Sequence, residues 1–367
     1  MLGAGALSRE TEIVGGQAFH RPVKIRLYRD ADARAWDRYV ADHPGGTFAH
    51  RIGWKRVFER AFGHRAFYLV AEDAGFPGSL LGIFPLFSIR SLLFGRSMVS
   101  MPFLTYGGIL ADDEAVRNAL FLRATELTSE GGFDYLEIRN ETESLDGLPI
   151  KDLYWGFKRE ISSDPEVNLK GIPRKSRRMV RKAMGNGLTA VFGGDDLLDM
   201  FYDLFSFNYR SLGTPVFPKR YLRIVLKEFR DASSVLVVEK DGRPLSGVIS
   251  FYFEDQVIPY YSGAFPEARQ WAANDYLYWS LMCDAASRGC RIFDFGRSKQ
   301  DTGPFHFKRH WGFEPRPLYY QYALCRVTEI PDLSPANPRY RRKIEMWKRL
   351  PLWATKLLGP PIVKNLP

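Results

Sequence analysis

Residues 260–313, YYSGAFPEARQWAANDYLYWSLMCDAASRGCRIFDFGRSKQDTGPFHFKRHWGF, leave few folds open to this chain. Tyr260-Tyr261 ends an aromatic and β-branched run, and Gly263 marks its break. Asn274 is a suitable helix N-cap, and Leu277, Leu281 and Ala285 recur at i, i+4 and i+8 on one face. Arg288 falls in the last turn, and Gly289 suits the left-handed C-cap. Residues 291–295 then form a short strand that Gly296 ends. The expectation is strand, glycine turn, helix, second strand and a polar glycine-containing loop.

The second strand closes on Asp294, followed by Arg297, Ser298, Lys299, Asp301 and Lys308. Polar clusters just past the carboxyl end of a strand are where open α/β sheets place ligands. The bland alternative is that Asp294 caps a turn and Lys308 is a solvated lysine.

The same stretch resembles the C-terminal lobe of the FemAB-like aminoacyl/acyltransferases, within the GNAT superfamily. The residues that carry the likeness are Asn274 and Trp279, the G-x-x-x-x-D-F-G of 289–296, and Phe307-Lys308-Arg309-His310-Trp311-Gly312-Phe313. They occur in the family's order over some fifty residues.

A chain of 367 residues suggests two domains, and 45% hydrophobic with 14% aromatic residues is enough for sizeable cores. Cys283, Cys290 and Cys325 show no metal spacing, and the count fits a reducing compartment. His306 and His310 stand at i, i+4 without an acidic or thiol neighbour, so no metal site is expected. Residues 1–22 lack a basic start and an apolar core, and the longest apolar run, residues 80–87, is too short for a bilayer span. A cytoplasmic protein is expected, with peripheral contact at the inner membrane as an option.

The formal net charge is +10, but residues 338–367 hold eight Lys or Arg against Glu345 alone. The basicity is therefore local, which argues against a general nucleic-acid-binding surface. Within that tail, Ile344, Met346, Trp347, Leu350, Leu352 and Trp353 alternate with the cations. Such a segment either lies on an anionic membrane face or packs on the globular body with its charges in water. A second basic cluster, KGIPRKSRRMVRK at 170–182, should turn helical after Pro173, with Arg174, Arg178 and Arg181 along one stripe. It is either a solvated face or a clamp for phosphate or RNA.

Elsewhere, strands are expected at 23–27, 67–71, 80–87 and 135–138, and helices at 33–40, 54–62 and 114–130. Strand, helix, strands, glycine turn, helix, strand then recurs in the second half, where 234–239, 244–254 and 256–261 are antiparallel strands and 315–326 a last one. Pro102-Phe103-Leu104-Thr105-Tyr106-Gly107-Gly108 allows close backbone approach, as a tight turn or beside a ligand. Tyr209-Arg210 ends a helix of 197–210, where Arg210 either complements the helix C-terminus or grips a phosphate.

The resemblance implies an α/β (α+β) fold of two tandem GNAT-like acyltransferase lobes plus a basic C-terminal helical tail. The expected boundaries are a flexible leader 1–22, lobes 23–160 and 161–330, and the tail 331–367. The tail, N-P-x-Y…W-K-x-L-P…G-P from Asn337, further resembles FemAB-related proteins associated with exosortase (PEP-CTERM) exopolysaccharide systems. The implied activity moves an acyl or aminoacyl group to an amine or hydroxyl of a cell-envelope or exopolysaccharide precursor, such as a saccharide or lipid-linked acceptor. No tightly bound cofactor is implied; acyl-CoA or aminoacyl-tRNA is the co-substrate.

Lys308, the lysine of the F-K motif, is implied as the cation near the oxyanion or a substrate phosphate. Asp294 either takes the acceptor's proton or only holds its loop. Arg210, Tyr209, Tyr106, Arg297 and Tyr261 are substrate-binding candidates, and Arg269, Asn274, Arg174 and Arg178 donor-binding ones. One departure concerns the donor. Acetyl-CoA enzymes carry [QR]-x-x-G-x-[GA] before the helix, so that backbone N–H groups meet the pyrophosphate. Here Arg269-Gln270-Trp271-Ala272-Ala273-Asn274 keeps the first residue and replaces both glycines. A non-catalytic protein that recruits a polysaccharide assembly complex to the membrane is the alternative from another class.

Overall fold

The computed structural model describes residues 11–13, 22–91, 94–141, 145–332 and 337–366. Most of the expected leader lies outside the described residues. The chain divides into two compact units, the first formed by residues 1–152, 318–331 and 365–367, the second by residues 153–317 and 332–364.

The first unit opens with β1 (Thr11–Ile13), which pairs antiparallel with β2 (Val23–Leu27). Two amphipathic helices follow, α1 (Ala33–Asp42), which buries Trp36 and Val40, and α2 (Gly53–Phe62), which buries Trp54, Val57 and Phe58. Then come β3 (Arg65–Ala66), β4 (Leu69–Asp73), β5 (Leu80–Phe84), β6 (Leu86–Ser91), β7 (Gly95–Ser100) and β8 (Leu110–Ala111). The expected single strand over 80–87 is two. Pro85 cannot donate to a ladder, and on either side of it β5 joins β4 while β6 joins β7. Helix α3 (Glu114–Glu130) starts where Asp113 accepts the Val116 N–H at 2.8 Å. Its Val116, Leu120, Ala124 and Leu127 enter the core with Phe84 and Leu136. It leads to β9 (Tyr135–Asn140), which lies parallel to β7.

The second unit begins with β10 (Tyr154–Glu160), α4 (Pro165–Gly171), α5 (Arg174–Met184) and β11 (Leu188–Gly193). Then follow α6 (Leu198–Leu212), α7 (Lys219–Glu228), β12 (Ser233–Lys240), β13 (Arg243–Phe253) and β14 (Gln256–Ala264). A short α8 (Ala268–Trp271) precedes α9 (Ala273–Ser287), β15 (Ile292–Lys299), α10 (Gly303–His310) and β16 (Pro315–Pro317). These strands make one sheet in the order β11-β12-β13-β14-β15-β10-β16. Its core holds Phe157, Leu236, Val248, Leu281, Phe293 and Trp311.

Two strands sit in a different unit from the one the sequence pattern suggests. β10, expected in the first lobe, pairs with β15 in the second. The last strand, β17 (Tyr319–Leu324), expected in the second lobe, pairs with β9 in the first. Hydrophobic pattern reveals that a segment is a strand but not which edge it joins.

Three local expectations also change. Gly263 does not end its strand; β14 runs through it to Ala264. A Cβ there would lie 2.5 Å from the Leu204 carbonyl and the Phe205 nitrogen on α6, so the glycine allows close helix–strand approach. Asn274 is not the N-cap of α9. That position is Ala272, held at φ +53°, and Asn274 lies inside the first turn. Gly296, at φ +61°, does not end β15 either, which continues to Lys299.

The tail forms α11 (Arg341–Arg349) and α12 (Leu352–Val363), both of which pack on α6. At Gly359 a Cβ would come within 2.8 Å of the Val216 backbone nitrogen, and Lys356 Nζ reaches Asp203 at 2.5 Å. No helix among the described residues is long and apolar enough to cross a membrane.

Candidate functional site

The site follows from one break in the second unit's sheet. β14 and β15 are parallel neighbours joined by α9, yet they pair only at Gln256↔Ile292 and Val257↔Phe293. Beyond those residues each strand keeps its outer partner. β14 stays on β13 as far as Ala264, and β15 stays on β10 as far as Lys299. The inner edges therefore part into a wedge with no ladder between them.

Both walls are bulged. In β14 the register slips beside Ile249/Ser250, which pair with Tyr261 and Pro259, so Tyr260 has no opposite residue. The bulge brings the Tyr260 and Tyr261 rings to 4.9 Å. In β15 the slip falls opposite Phe157, at Phe295 and Gly296. Bulges of this kind re-aim side chains next to ligand sites.

Asp294 and Lys308 hold the second bulge. Asp294 is fully buried, and its Oδ1 accepts the Gly296 N–H at 2.7 Å while Oδ2 lies 3.6 Å from Lys158 Nζ. This is the geometry of the loop-holding alternative. Lys308, 8% exposed, donates to the carbonyls of Phe295 at 2.7 Å, Arg297 at 3.0 Å and Gly296 at 3.4 Å. Burial pushes its pKa down from 10.5 to about 7, and the nearby Asp294 charge opposes that shift. In this state the amine faces its own main chain, so its reach toward a substrate would require those carbonyls to be given up.

Tyr209, in the last turn of α6, reaches the same region. Burial raises its pKa, Tyr260 adds to the shift and Arg297 opposes it. Tyr209, Tyr260 and Arg297 thus lie within electrostatic reach of one another. The Arg297 guanidinium also sits 4.5 Å from the Tyr154 ring centre. Arg210 stacks over Phe207 at 4.9 Å, and its buried Nε has no hydrogen-bond partner among the described residues. From α9, Tyr278 packs on Phe295 at 4.8 Å and hydrogen-bonds with Ser262 of β14, so its ring spans the two walls.

Tyr261 is also within electrostatic reach of Tyr209 and Tyr260, but its side chain turns into the core. It is 3% exposed, its hydroxyl meets that of Tyr221 at 2.5 Å, and Phe205 and Phe217 pack around it. The bulge makes Tyr260, not Tyr261, the half-buried member of the pair. Tyr106 belongs to the first unit, where it is buried on a loop whose Met101 and Leu104 carbonyls accept from Arg139 at 3.0 and 2.8 Å. There Gly107 lies against Met101 and Gly108 against Asn140, which is the close approach the paired glycines suggested.

The donor-side candidates lie on α5 and on the α8–α9 turn. Arg269 is exposed, and the N–H groups of Ala268, Arg269, Gln270 and Ala272 bond back to Phe265, Pro266, Glu267 and Arg269. Three amides of the 269–274 loop that would cradle a pyrophosphate, those of Arg269, Gln270 and Ala272, are thus already used. Trp271 is fixed as well, since its carbonyl accepts from Asn186 at 2.8 Å and Lys240 lies over its ring. In the first turn of α9, Asp275 accepts from Trp311 Nε1 at 3.2 Å, and burial raises its pKa to about 6. Arg174 and Arg178 are exposed on α5, as is Arg181, while Ser176, Val180 and Ala183 form the buried face.

Sequence reasoning missed Tyr260, Tyr278 and Lys158. The bulge singles out Tyr260, the β10–β15 register Lys158, and the contacts with Phe295 and Ser262 single out Tyr278. A cavity of about 450 Å³ lined by Arg159, Asn168, Gly171 and Gly312 lies near the Ile292 end of β15, opposite the mouth of the wedge. Among the described residues no group of three His, Cys, Asp or Glu side chains is placed to hold a metal.

Residues 170–309 match the model of the Acetyltransferase (GNAT) domain family. None of the curated proteins matches the sequence. Among solved structures, that of FemX superposes with a TM-score of 0.65 at 14% identity, covering 87% of this chain and 99% of that one. A tandem GNAT protein from the clavulanic acid biosynthesis pathway gives 0.53 at 13% identity, over 84% of this chain and 100% of that one. The C-terminal domain of a putative lysylphosphatidylglycerol synthetase from Agrobacterium fabrum gives 0.51 at 12%, over 81% and 92%. Identities this low speak for the fold alone. With a parallel strand–helix–strand crossover in each unit, and a GNAT domain match over 170–309, the chain has an acyltransferase fold of two GNAT-like lobes in tandem.

Proposed function

We propose that the second unit transfers an activated aminoacyl or acyl group to an amine or hydroxyl of a cell-envelope or exopolysaccharide precursor, of the kind found in exosortase-associated systems. The wedge between β14 and β15 carries this reading. It offers the β14 main chain beyond Val257, which has no ladder to β15, to an extended donor, with Tyr209, Tyr260 and Arg297 grouped nearby. The acceptor's lone pair attacks the donor carbonyl, the C–O or C–S bond breaks, and the acceptor's proton leaves with the departing group or solvent. The protein's contribution is to align the two reactants and to stabilise the oxyanion. Arg297 and Arg210 supply cations for the oxyanion or for a precursor's phosphate. Lys308 and Asp294 position the β15 wall.

The α8–α9 turn favours aminoacyl-tRNA over acyl-CoA as donor. The Arg269, Gln270 and Ala272 amides of that turn are used internally. The exposed Arg174, Arg178 and Arg181 stripe suits the RNA part of such a donor. Titration calorimetry of the purified protein with acetyl-CoA and longer acyl-CoAs is expected to give no heat, while aminoacylated tRNA binds and Arg174→Glu/Arg178→Glu weakens it. Micromolar acyl-CoA binding that Arg269→Ala weakens would overturn the choice of donor. Silence with both donor classes would favour the recruitment protein, a reading already supported by the use of Lys308 and Asp294 on their own backbone. On either reading residues 338–367 make a peripheral membrane contact.

A further inference from the structure

Helices α11 and α12 turn one side to α6 and the other to solvent. On α12 the inward side is Ala354, Thr355, Gly359 and Val363. Its outward side carries Trp353 at 70% and Leu357 at 67% exposure, with Leu358 at 45% beside them. A two-turn surface of Trp and Leu in water is unfavourable unless something covers it. The fold does not cover it, because Gly359 has brought the opposite side against Val216. On α11 no residue is buried, and Met346 is 69% exposed. Arg341, Arg342, Lys343 and Arg349 are exposed around it, and Glu345 is the helix's single acidic residue, held by Lys348 at 2.9 Å. Leu212, 57% exposed at the end of α6, adds to the apolar surface next to Gly213, against which Ile344 packs.

We infer that the outward faces of α11 and α12 form one docking surface for an anionic lipid bilayer, with Trp353 and Leu357 entering the interface and Arg341, Arg342 and Lys343 meeting the headgroups. Charge complementarity selects the occupant. Indole and leucyl side chains flanked by unneutralised cations suit an interface that is apolar just below a negative surface. A second copy of this chain would bring like charge onto like charge. The inference gives the peripheral contact proposed above its residues, and it is independent of the transfer chemistry.

The test needs no substrate, so its failure and that of the proposed activity are separately visible. The full chain is sedimented with vesicles of phosphatidylcholine alone and with about 30% phosphatidylglycerol, near physiological salt. Binding is expected only to the anionic vesicles. Trp353→Ser/Leu357→Ser should weaken it about tenfold or more, as should Arg341→Glu/Arg342→Glu/Lys343→Glu. All five positions are exposed, so unchanged thermal melting checks that the variants remain folded. Equal binding of either variant and the parent, or equal binding to neutral vesicles, would overturn the inference. So would a dimer in gel filtration that Trp353→Ser/Leu357→Ser returns to monomer without any vesicle binding.

Discussion

Replacing Lys308 by Met tests whether this lysine holds the β15 bulge or faces substrate. Methionine fills the same volume but donates nothing to the Phe295 and Arg297 carbonyls, now bonded at 2.7 and 3.0 Å. Each buried carbonyl left unpaired costs about 1–3 kcal/mol. The better burial of a thioether offsets roughly 1 kcal/mol of this. A net loss of about 2 kcal/mol should lower the second unit's melting temperature by about 4–8 °C. The loss should also depend on pH. Burial lowers the folded-state pKa of Lys308 from 10.5 to about 7. Below pH 7 folded and unfolded chains both keep the proton, so the lysine adds no slope. Between pH 7 and 10.5 the unfolded chain holds a proton that the folded one has released, and stability rises with pH by up to about 1.4 kcal/mol per unit. Lys308→Met lacks that rise, so calorimetric melts of the two proteins should move apart from pH 6 to 9. A constant gap would refute the buried, depressed amine. An unchanged melting temperature together with lost transfer would place Lys308 against substrate.

Two further predictions concern packing and charge in the same unit. Gly263→Ala puts a methyl 2.5 Å from the Leu204–Phe205 backbone, and forcing α6 off β14 should cost about 1–3 kcal/mol in a denaturant melt; full stability would show that the helix and strand have slack. Burial raises the Asp275 pKa from 3.8 to about 6, so the folded state keeps a proton that the unfolded chain loses, and stability should fall as pH rises from 4 to 6. Asp275→Asn keeps an acceptor for Trp311 Nε1 and should remove that fall, with a gain of about 3 kcal/mol at pH 7; parallel pH profiles for the two proteins would exclude a buried carboxyl.

Local order was legible where a periodic apolar face met a clear cap. Helix α3 spans Glu114–Glu130, the range its sequence suggests, and the hydrophobic stripe of α9 is legible from Leu277, Leu281 and Ala285. Close approach was not. Gly263 looks like a breaker in sequence because nothing in the chain announces that the α6 backbone lies against it. The same limit applies to the site. Asp294, Lys308, Arg297 and Tyr209 are candidates from the polar residues past a strand end and from resemblance. Which of Tyr260 and Tyr261 enters the core is set by a one-residue bulge, and alternation alone cannot register an inserted residue. Ala272 carries no signal either, since a left-handed alanine is set by its surroundings and not by its own preference.

The exchange of β10 and β17 has a consequence for synthesis. One of the first unit's two sheets, in the order β17-β9-β7-β6-β3, has β17 at its edge, so it lacks that strand until residue 324 has left the ribosome. Its other strands are complete by Asn140. At about 5–20 residues per second the nascent first unit waits for roughly ten to forty seconds with the edge of β9 open. During that interval β10, the next strand to emerge, is the nearest competitor for the vacant place, although it belongs to the other sheet. A chain cut after β16 would retain that competitor and lose the strand that should displace it, so the two halves of this sequence are not separable expression units.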